Sequence, residues 1–457
     1  SGTPLKLPAL PAGAAPGSTR RVLLLSPQEE VIRLAAGLNF LHTYPYGCTE
    51  QRLAASRAFV AHGALMQALG MAEQRQLEQA VRDTVVWLGR ATDGEGLVAF
   101  WPGDRGSVVL TAWALLFLEE ARAAGFAVEA KLAERYLKVL ESSLRSDFRR
   151  LLPGAEMWER SWALLALARA GRFNSGYAAE LARRMEFLDL ETTAQVLLAL
   201  RHGGQGETRA ARDLVQRLWG AVQVRSHQGR DVYGGLAGVA SPREPRIFPT
   251  EARTLATMVS ALGAGERAHP KWPPLFGALL NLGAGDGWGN TNANAAGCLA
   301  LAEVLARPQR GEPARRVTLA SRTGREALRW EPGQAPLRRV LLHPDEAVLT
   351  LEEGPPLTVY VETRYLPVKP EPAGTAGLAV SRQWWRVEEG EAPLQRMPLE
   401  GAAPVELAVG EVVEEHVELV NPEERFYVAV SVPLAAGMEP LNPHLATAPP
   451  EARPSRA

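Results

Sequence analysis

The sequence predicts a mainly α-helical chain: an α/α toroid of about six helical hairpins, inserted in a β domain and followed by β-sandwich material. Three observations predict this fold class. Composition changes near residue 310, from Ala, Leu and Arg with helical periodicity to Val, Pro and Glu with alternation. Six apolar helical segments recur before that point. Short alternating strands, separated by Pro and Gly, follow it.

The N-terminal residues 1–25 contain one apolar strand, Val22-Leu23-Leu24-Leu25. We expect this strand to join the β unit that follows the helices. The helical part would then be an insertion within a β domain.

Residues 26–308 carry the helical repeat. Several of its six apolar segments begin with a capping residue and end at Gly, as helix start and stop chemistry predicts. The segments are 51–70, 111–125, 159–171, 191–203, 250–265 and 291–306. More amphipathic stretches lie between them, such as 74–90 and 131–144. Pairing each apolar helix with an amphipathic one predicts a concentric barrel of hairpins.

Long connectors rich in Gly and Trp precede several of the apolar helices, at 93–107, 233–249 and 283–290. In a toroid they would gather at one face and build a surface there. Ordinary connecting loops are the alternative interpretation.

The chain after Pro308 reads as two β units. Apolar residues alternate at Leu357, Val359 and Val361, then over 405–409 and 426–432. Residues 309–367 are assigned to the return half of the first β domain, and 368–457 to a partial β-sandwich. The Pro- and Ala-rich tail 446–457 is predicted to be disordered.

Composition excludes several function classes. The chain has 457 residues with 50 Lys+Arg and 51 Asp+Glu, so its net charge of −1 offers no footprint for nucleic acid or an anionic membrane. No run approaches the roughly 18 apolar residues of a membrane helix. Two cysteines exclude a disulfide-rich scaffold and a four-cysteine zinc site. No metal and no cofactor are predicted.

One stretch, residues 44–51, has the residue types of a reactive site: Tyr-Pro-Tyr-Gly-Cys-Thr-Glu-Gln. Pro45 restricts the backbone and Gly47 frees it just before a helix predicted to begin near Gln51. At a helix N-terminus we expect the dipole to lower the pKa of the Cys48 thiol. Gln51 lies within side-chain reach of Cys48 across one turn. A thiolate held against a primary amide can displace ammonia and leave a cyclic thioester.

This stretch resembles the thioester signature of the alpha-2-macroglobulin and complement family, and most closely that of its bacterial branch. The resemblance continues at residues 100–103 and 285–289, and at 433–443 near the end of the chain. It implies a thioester-containing toroid inserted in a CUB-type β domain, followed by part of a macroglobulin-like sandwich. The chain opens Ser1-Gly2-Thr3, which predicts an expression remnant ahead of a piece of a longer chain.

The resemblance also implies a function. The chain would be the covalent-capture module of a periplasmic, broad-spectrum protease trap. In this family the full-length parent protein can be anchored to the inner membrane. The chain would act as an endopeptidase inhibitor of single turnover and not as an enzyme. Its partners would be target proteases, acylated at lysine amines after cleavage of a bait region elsewhere, and the neighbouring macroglobulin domains of the parent.

Residue roles follow from the same resemblance. Cys48 would contribute the sulfur and Gln51 the acyl carbonyl. Glu50 would order the turn, or serve as a plain capping or solvated carboxylate. Tyr44 and Tyr46 would shield the bond from water, or be core aromatics. Trp101 and Trp288 are candidates for a facing wall.

The histidines of this chain depart from the family pattern, and the second cysteine has two possible interpretations. Some family members place near the thioester a His that turns reactivity toward hydroxyls. No His of this chain has a matching context; the four considered were His42, His62, His202 and His227. Direct attack by amines is therefore the expected chemistry. Cys298 is predicted to be a buried free thiol, with a disulfide to Cys48 as the alternative.

Two rival functions stay open at this point. Toroids also house glycoside hydrolases, lyases and terpene cyclases, which need paired carboxylates or an Asp-rich metal motif. The acids of the helical part show no such spacing; they are Glu159, Glu191, Asp231, Glu251 and Asp286. The other rival is a scaffold or binding module of the same family in which the thioester is silent.

Overall fold

The fold is taken from a computed structural model of the chain. It describes residues 2, 4–10, 12–68, 70–238, 247, 249–283, 287–305, 314–321, 324–330, 337–342, 347–369, 377–388, 395–399, 405–423, 425, 428, 430–443, 448–452 and 455. The chain divides into two compact units, Ser1–Leu366 and Pro367–Ala457.

The described part of the first unit contains twelve α-helices. They are α1 Glu29–Thr43, α2 Thr49–Ala68, α3 Gln74–Ala91, α4 Val108–Ala123, α5 Ala130–Ser143, α6 Glu156–Arg169, α7 Ser175–Arg183, α8 Leu190–His202, α9 Arg209–Ala221, α10 Glu251–Gly263, α11 Trp272–Leu282 and α12 Thr291–Leu305. Side chains of Asn174, Asp189, Thr208 and Thr250 accept backbone N–H groups at four of the N-termini. The predicted apolar helices correspond to the six even-numbered ones. The start predicted near Gln51 lies two residues earlier, at Thr49.

The even-numbered helices form a closed ring. Each contacts the next even-numbered helix, and α12 contacts α2. Odd-numbered helices pack on the outside of the ring. The outer helix α3 buries one stripe of residues, including Leu77, Val81 and Leu88, as an amphipathic surface helix does. The inner helix α4 is buried continuously from Val108 to Leu118.

Two antiparallel sheets are built from strands that precede α1 and strands that follow α12. Their strands are β1 Leu5–Lys6, β2 Arg20–Ser26, β5 Arg315–Ser321, β6 Gly324–Trp330, β7 Arg338–Leu342, β8 Ala347–Glu353 and β9 Thr358–Arg364. One sheet has the order β1-β8-β5-β6 and the other β7-β2-β9. Leu23 and Leu25 of β2 share an apolar cluster with Val317 and Leu349 of the other sheet. The chain thus leaves these sheets after β2 and returns to them after α12, and the strand predicted at Leu357–Val361 is β9.

A β-hairpin interrupts the helices between α9 and α10. It consists of β3 (Val222–His227) and β4 (Arg230–Leu236), joined at Gln228 and Gly229, which both have positive φ angles of 50° and 73°. The connector predicted at 233–249 overlaps β4, and no strand is predicted from the sequence at 222–236. The strands of the hairpin are mostly solvent-exposed, so they lack the apolar alternation by which a strand is recognised.

The second unit contains a three-stranded antiparallel sheet among its described residues. The strands are β10 Ala379–Val387, β11 Arg396–Pro398 and β12 Val412–Val420, in the order β11-β10-β12. The strand predicted at 405–409 is wrong, because these residues form no strand. Of the strand predicted at 426–432, residues 426, 427 and 429 lie outside the described residues, and Val428, Val430 and Val432 are not in a strand. Where a disordered tail is predicted, Pro450–Ala452 forms a 3-10 turn.

Candidate functional site

Cys48 lies immediately before α2, and the start of this helix is fixed by contacts with two other segments. The backbone N–H and the hydroxyl of Thr49 both donate to the carbonyl of Phe100, at 3.0 Å each. The indole N–H of Trp87 in α3 donates to the Thr49 hydroxyl at 2.8 Å. The position of Cys48 therefore depends on α3 and on the segment that precedes α4.

The side chain of Gln51 turns back toward Cys48. The backbone N–H of Cys48 donates to Gln51 Oε1 at 3.0 Å, and Gln51 Nε2 lies 3.5 Å from the hydroxyl of Tyr44. A hydrogen bond to Oε1 polarises the amide carbonyl and is placed to stabilise negative charge on that oxygen. The amide carbon of Gln51 is thus held within one helical turn of the Cys48 side chain.

The Cys48 thiol is buried, with 9% of the residue exposed. Burial raises the pKa of this thiol, and the hydrogen bond with the Gln51 backbone only partly opposes the rise. The lowered pKa predicted from the helix N-terminus is therefore wrong, because desolvation of the thiol outweighs the backbone hydrogen bonds that favour the thiolate. The nearby carboxylate of Glu50 raises the pKa further.

The two tyrosines of the motif occupy different environments. The Tyr44 ring is half-buried, with its centroid 5.4 Å from that of Phe40 and 5.7 Å from that of Tyr46. Tyr46 itself is 63% exposed. Only Tyr44 of the two is hydrogen-bonded to Gln51 in the described part of the chain.

An arginine packs against the backbone of Gly47 and leaves little room for a side chain there. Arg52 Nε donates to the Gly47 carbonyl at 2.7 Å, and a Cβ at position 47 would lie 3.0 Å from the guanidinium. The same guanidinium lies 4.3 Å from the centroid of the Trp87 ring. Trp101, half-exposed, contacts Trp87 edge to face with a centroid distance of 5.8 Å. Trp101 therefore reaches the site through Trp87, a residue that the sequence analysis does not single out.

Glu50 points into the ring and not toward solvent. Its carboxylate accepts the Thr291 hydroxyl at 2.9 and 3.1 Å, and only 4% of the residue is exposed. Burial raises the pKa of Glu50 to about 7, although hydrogen bonds from Thr291 and Asn292 and the charge of Arg253 oppose the rise. The solvated carboxylate considered from the sequence is excluded by this burial.

The polar contacts of Glu50 continue into a buried network at the N-terminal ends of the inner helices. Arg253 donates to Asn292 at 2.9 Å and forms an ion pair of 3.2 Å with Glu191. Glu191 also accepts from Trp158 at 3.3 Å and from Gln195 at 3.0 Å. The network joins α8, α10 and α12 to the reactive turn, and sequence spacing gives no sign of it.

The acids considered for an enzyme do not converge. Glu191 lies in the network described above, and the Glu159 carboxylate accepts the backbone N–H groups of Val109 and Leu152. Glu251 pairs with the hydroxyl of Tyr233, and Asp231 lies in the exposed hairpin. Asp286 lies outside the described residues. The part of the chain that the structure describes holds no group of three or more His, Cys, Asp or Glu side chains suited to a metal ion.

Trp288 does not form a wall of the site. It is 4% exposed, and its indole N–H donates to the carbonyl of Leu279 at 2.7 Å. The close approach of this ring leaves no room for a Cβ at Gly37 or Gly297. Trp288 is therefore a core residue of the helical ring.

Cys298 is fully buried and, like Cys48, is a free cysteine, so the alternative of a disulfide between them is not what the structure has. The ring of His62 is hydrogen-bonded to the carbonyl of Cys298 at 2.7 Å. Burial lowers the pKa of His202 to about 4. Among the described residues, no histidine is hydrogen-bonded to Cys48 or Gln51.

Comparison with known proteins identifies similar proteins for both units. Residues 377–456 match the family model of the bacterial alpha-2-macroglobulin MG10 domain. Native E. coli alpha-2-macroglobulin, spanning MG7 to the C-terminus, is 21% identical with a TM-score of 0.63; the match covers 84% of this chain and 59% of that one. Salmonella alpha-2-macroglobulin reacted with methylamine is 21% identical with a TM-score of 0.66, over 87% of this chain and 25% of that one. No curated protein matches the chain.

These matches confirm the resemblance to bacterial alpha-2-macroglobulins, and the fold is that of their C-terminal region. The chain spans about a quarter of the Salmonella protein and 59% of the E. coli fragment. Within the described residues, no helix has the length and apolar character needed to cross a bilayer.

Proposed function

We propose that this chain is the covalent-capture module of a bacterial alpha-2-macroglobulin, a protease trap in which Cys48 and Gln51 form an internal thioester. The observation that carries the proposal is the folding of the Gln51 amide back onto Cys48, with Oε1 held by the Cys48 N–H at 3.0 Å. The four-residue Cys-Thr-Glu-Gln sequence at a helix start supports it.

We further propose the domain boundaries that the family resemblance implies. Residues 26–308 form the thioester domain, an α/α toroid. Residues 1–25 and 309–367 form the two halves of a CUB-type β domain, and 368–457 form part of a macroglobulin-like sandwich. The closed ring of inner helices and the pairing of β2 with β7 and β9 support this division.

Thioester formation is an acyl transfer between the two side chains. The sulfur of Cys48, having lost its proton, attacks the Gln51 amide carbon, and negative charge develops on Oε1, where the Cys48 N–H donates. The carbon–nitrogen bond then breaks and the nitrogen leaves as ammonia after taking up the proton. The raised thiol pKa makes the thiolate scarce, so orientation of the two groups carries this step.

In the capture step, the sulfur of Cys48 is the leaving group instead of the nucleophile. A lysine amine attacks the thioester carbonyl carbon, the carbon–sulfur bond breaks, and the sulfur of Cys48 takes up the proton that the amine loses. The product is an amide at position 51 and a free thiol. Because the thioester is consumed, each molecule captures once. The Salmonella protein of the same fold was crystallised after reaction with methylamine, which supports amine chemistry for this chain.

The trap acts on proteases after they cleave a bait region elsewhere in the parent chain, and the neighbouring macroglobulin domains shield the bond until then. We place the protein in the periplasm, in keeping with a bacterial trap of this family. The half-buried Tyr44 is the part of that shield which this chain itself supplies, through its contact with the Gln51 amide.

Intact mass spectrometry tests the proposal directly. The purified native protein should be lighter than its sequence demands by one ammonia. Cys298→Ala is the matched control, since it removes the other buried thiol and should keep the deficit. Cys48→Ala should abolish it. A native protein of full mass with both thiols open to alkylation would refute the thioester.

A second measurement concerns nucleophile choice. Methylamine should add at Gln51 and free the Cys48 thiol. Glycerol should add much more slowly, because no histidine is hydrogen-bonded to Cys48 or Gln51 in the described part of the chain. Equal uptake of glycerol and methylamine would contradict the preference for amines.

A further inference from the structure

Arg52 holds the peptide groups on both sides of Cys48. Its backbone N–H donates to the Cys48 carbonyl at 3.0 Å, within the first turn of α2. Its side chain turns back, and Nε donates to the Gly47 carbonyl at 2.7 Å. The residue that follows Gln51 in sequence therefore contacts the backbone before and after the thiol.

The guanidinium of Arg52 is fixed in place by its neighbours. Its carbon lies 4.3 Å from the centroid of the Trp87 ring, a cation–π contact. A Cβ built at Gly47 would lie 3.0 Å from one of its terminal nitrogens. Trp87 is itself held by the hydrogen bond from its indole N–H to Thr49. Packing has thus already restricted a side chain that would otherwise lose rotamer freedom on taking up one position.

The Gly47–Cys48 peptide joins Arg52 to the side chain of Gln51. Arg52 donates to its carbonyl oxygen, and its N–H donates to Gln51 Oε1 at 3.0 Å. The oxygen and nitrogen of one peptide are about 2.3 Å apart, so Arg52 Nε and Gln51 Oε1 lie within roughly 8 Å of each other. A hydrogen bond accepted by the carbonyl polarises the peptide and strengthens the bond that its N–H donates. The charge of Arg52 therefore acts on the oxygen at which negative charge develops.

Opposite charges flank Gln51 in the sequence. Burial raises the pKa of the Cys48 thiol, the carboxylate of Glu50 raises it further, and the charge of Arg52 acts in the opposite direction. Glu50 is turned into the ring, where the charge of Arg253 acts on it. Arg52 is half-buried, with part of its side chain in contact with solvent. Its charge therefore favours the thiolate form of Cys48 against burial and against Glu50.

Capture places negative charge on two atoms, and Arg52 favours both charges. Gln51 Oε1 carries the charge in the tetrahedral intermediate that the attacking amine forms. The Cys48 sulfur carries it when the carbon–sulfur bond breaks. Neither charge is present in the resting thioester, so a fixed cation stabilises the transition state more than the ground state.

We propose that Arg52 is a positioning residue of the thioester reaction. Through the Gly47–Cys48 peptide it strengthens the hydrogen bond to the reacting oxygen, and its charge stabilises the departing sulfur. The inference rests on the proposed thioester, and it adds a residue outside the Cys-Thr-Glu-Gln sequence to the reaction.

Methylamine uptake by the full chain measures the effect on rate. Arg52→Met keeps a side chain of similar length and removes its charge and its N–H groups. We expect the second-order rate constant to fall about three- to tenfold, because the oxyanion donor stays but is weakened. Arg212→Met, exposed on α9, is the matched control and should react at the wild-type rate. An unchanged rate in Arg52→Met would overturn the proposal.

Titration of the Cys48 thiol separates an electrostatic role from a packing role. The alkylation rate is measured against pH on methylamine-reacted protein in a Cys298→Ala background, where Cys48 is the sole cysteine. Removal of a positive charge disfavours the thiolate, so Arg52→Met should raise the pKa of Cys48. Arg52→Lys keeps the charge without the planar guanidinium. It should return the pKa toward that of the wild type and restore the uptake rate in part. A pKa that is the same with Arg, Lys and Met at position 52 would overturn the proposal.

Intact mass distinguishes failure of this inference from failure of the thioester. A wild-type protein of full mass would overturn both proposals. A wild-type protein with the ammonia deficit, whose uptake rate does not respond to Arg52, overturns only the role of Arg52. If Arg52→Met folds by circular dichroism yet lacks the deficit, the result supports the role, because thioester formation passes through the same oxyanion. If Arg52→Met does not fold, the comparison of rate and pKa is made with Arg52→Lys.

Discussion

At Glu50, burial acts against the surrounding hydrogen bonds and the charge of Arg253. Its pKa is raised to about 7 in the folded chain, against an ordinary value of 4.5. Between these two pH values the folded state holds a proton that the unfolded state has released. Stability from this group is therefore fully present below about pH 4.5 and is lost as the pH rises through about 7.

Replacing Glu50 by Gln should remove that loss. From pH 5 to pH 8, we expect the free energy of unfolding to fall more in the wild type than in the variant. The difference should be on the order of 1–3 kcal/mol. Urea unfolding at the two pH values measures it, with Glu134→Gln as the exposed control. A variant with the same pH dependence as wild type would mean that Glu50 ionises normally.

Tyr44 and Tyr46 are expected to differ in how well they shield the reactive turn from nucleophiles. Tyr44 contacts the Gln51 amide, whereas Tyr46 is 63% exposed. We expect Tyr44→Ala to raise the rate of methylamine uptake several-fold, and Tyr46→Ala to raise it less. Thiol release followed with a chromogenic disulfide gives both rates. If neither rate changes, both rings are packing groups only.

The reactive turn could be predicted from sequence as far as its chemistry is local. Cys48, Glu50 and Gln51 lie within one helical turn, so their spacing determines what can meet. Trp87, Thr291 and Arg253 reach the same turn from α3, α12 and α10, and only the closed ring brings them there. The predicted direction of the Cys48 pKa shift was wrong. The local sequence predicts the helix start, but the burial of the thiol depends on tertiary packing.

At the scale of a single element, α12 packs closely against Trp288 at Gly297. A Cβ there would lie 2.8 Å from the indole of Trp288, on a helix that contacts both α2 and α10. We expect Gly297→Ala to destabilise the chain by about 1–3 kcal/mol through overpacking, measured by urea unfolding.

Gly277→Ala in α11 is the matched control, since nothing lies within 4 Å of a Cβ at that position. It should be neutral or stabilise by about 0.5–1 kcal/mol, as alanine does in an open helix position. Equal destabilisation by both substitutions would point to backbone effects and not to the Trp288 contact.

The inner helices were predicted because each is an apolar run, and several have a capping residue at the start and Gly at the end. The strands of the second unit were not, because β10 and β12 place charged and aromatic residues on a largely exposed sheet. Charged residues of these strands pair across the sheet: Arg382 of β10 with Glu415 of β12, and Arg396 of β11 with Glu414 of β12. Cross-strand pairing of that kind leaves no periodic signal in either strand alone.

At the scale of the whole molecule, the first unit has its own apolar cores. Among the described residues, each of the three apolar clusters consists of residues that precede Pro367. We expect a fragment of residues 1–366 to unfold cooperatively with a midpoint close to that of the full chain, by circular dichroism. It should also keep the mass deficit of one ammonia. A fragment without a cooperative transition would show that the second unit is needed for folding.

The strand pairing of β2 imposes an order on the making of this protein. Leu23 pairs with Val340 and Val361, roughly 300 residues further along the chain. A ribosome that adds about 5–20 residues per second delivers these partners tens of seconds after β2 itself. The helices, whose contacts are mostly with helices one or two further along the chain, can assemble during that interval. We therefore expect the apolar strand Arg20–Ser26 to be the segment of a nascent chain that chaperones bind longest.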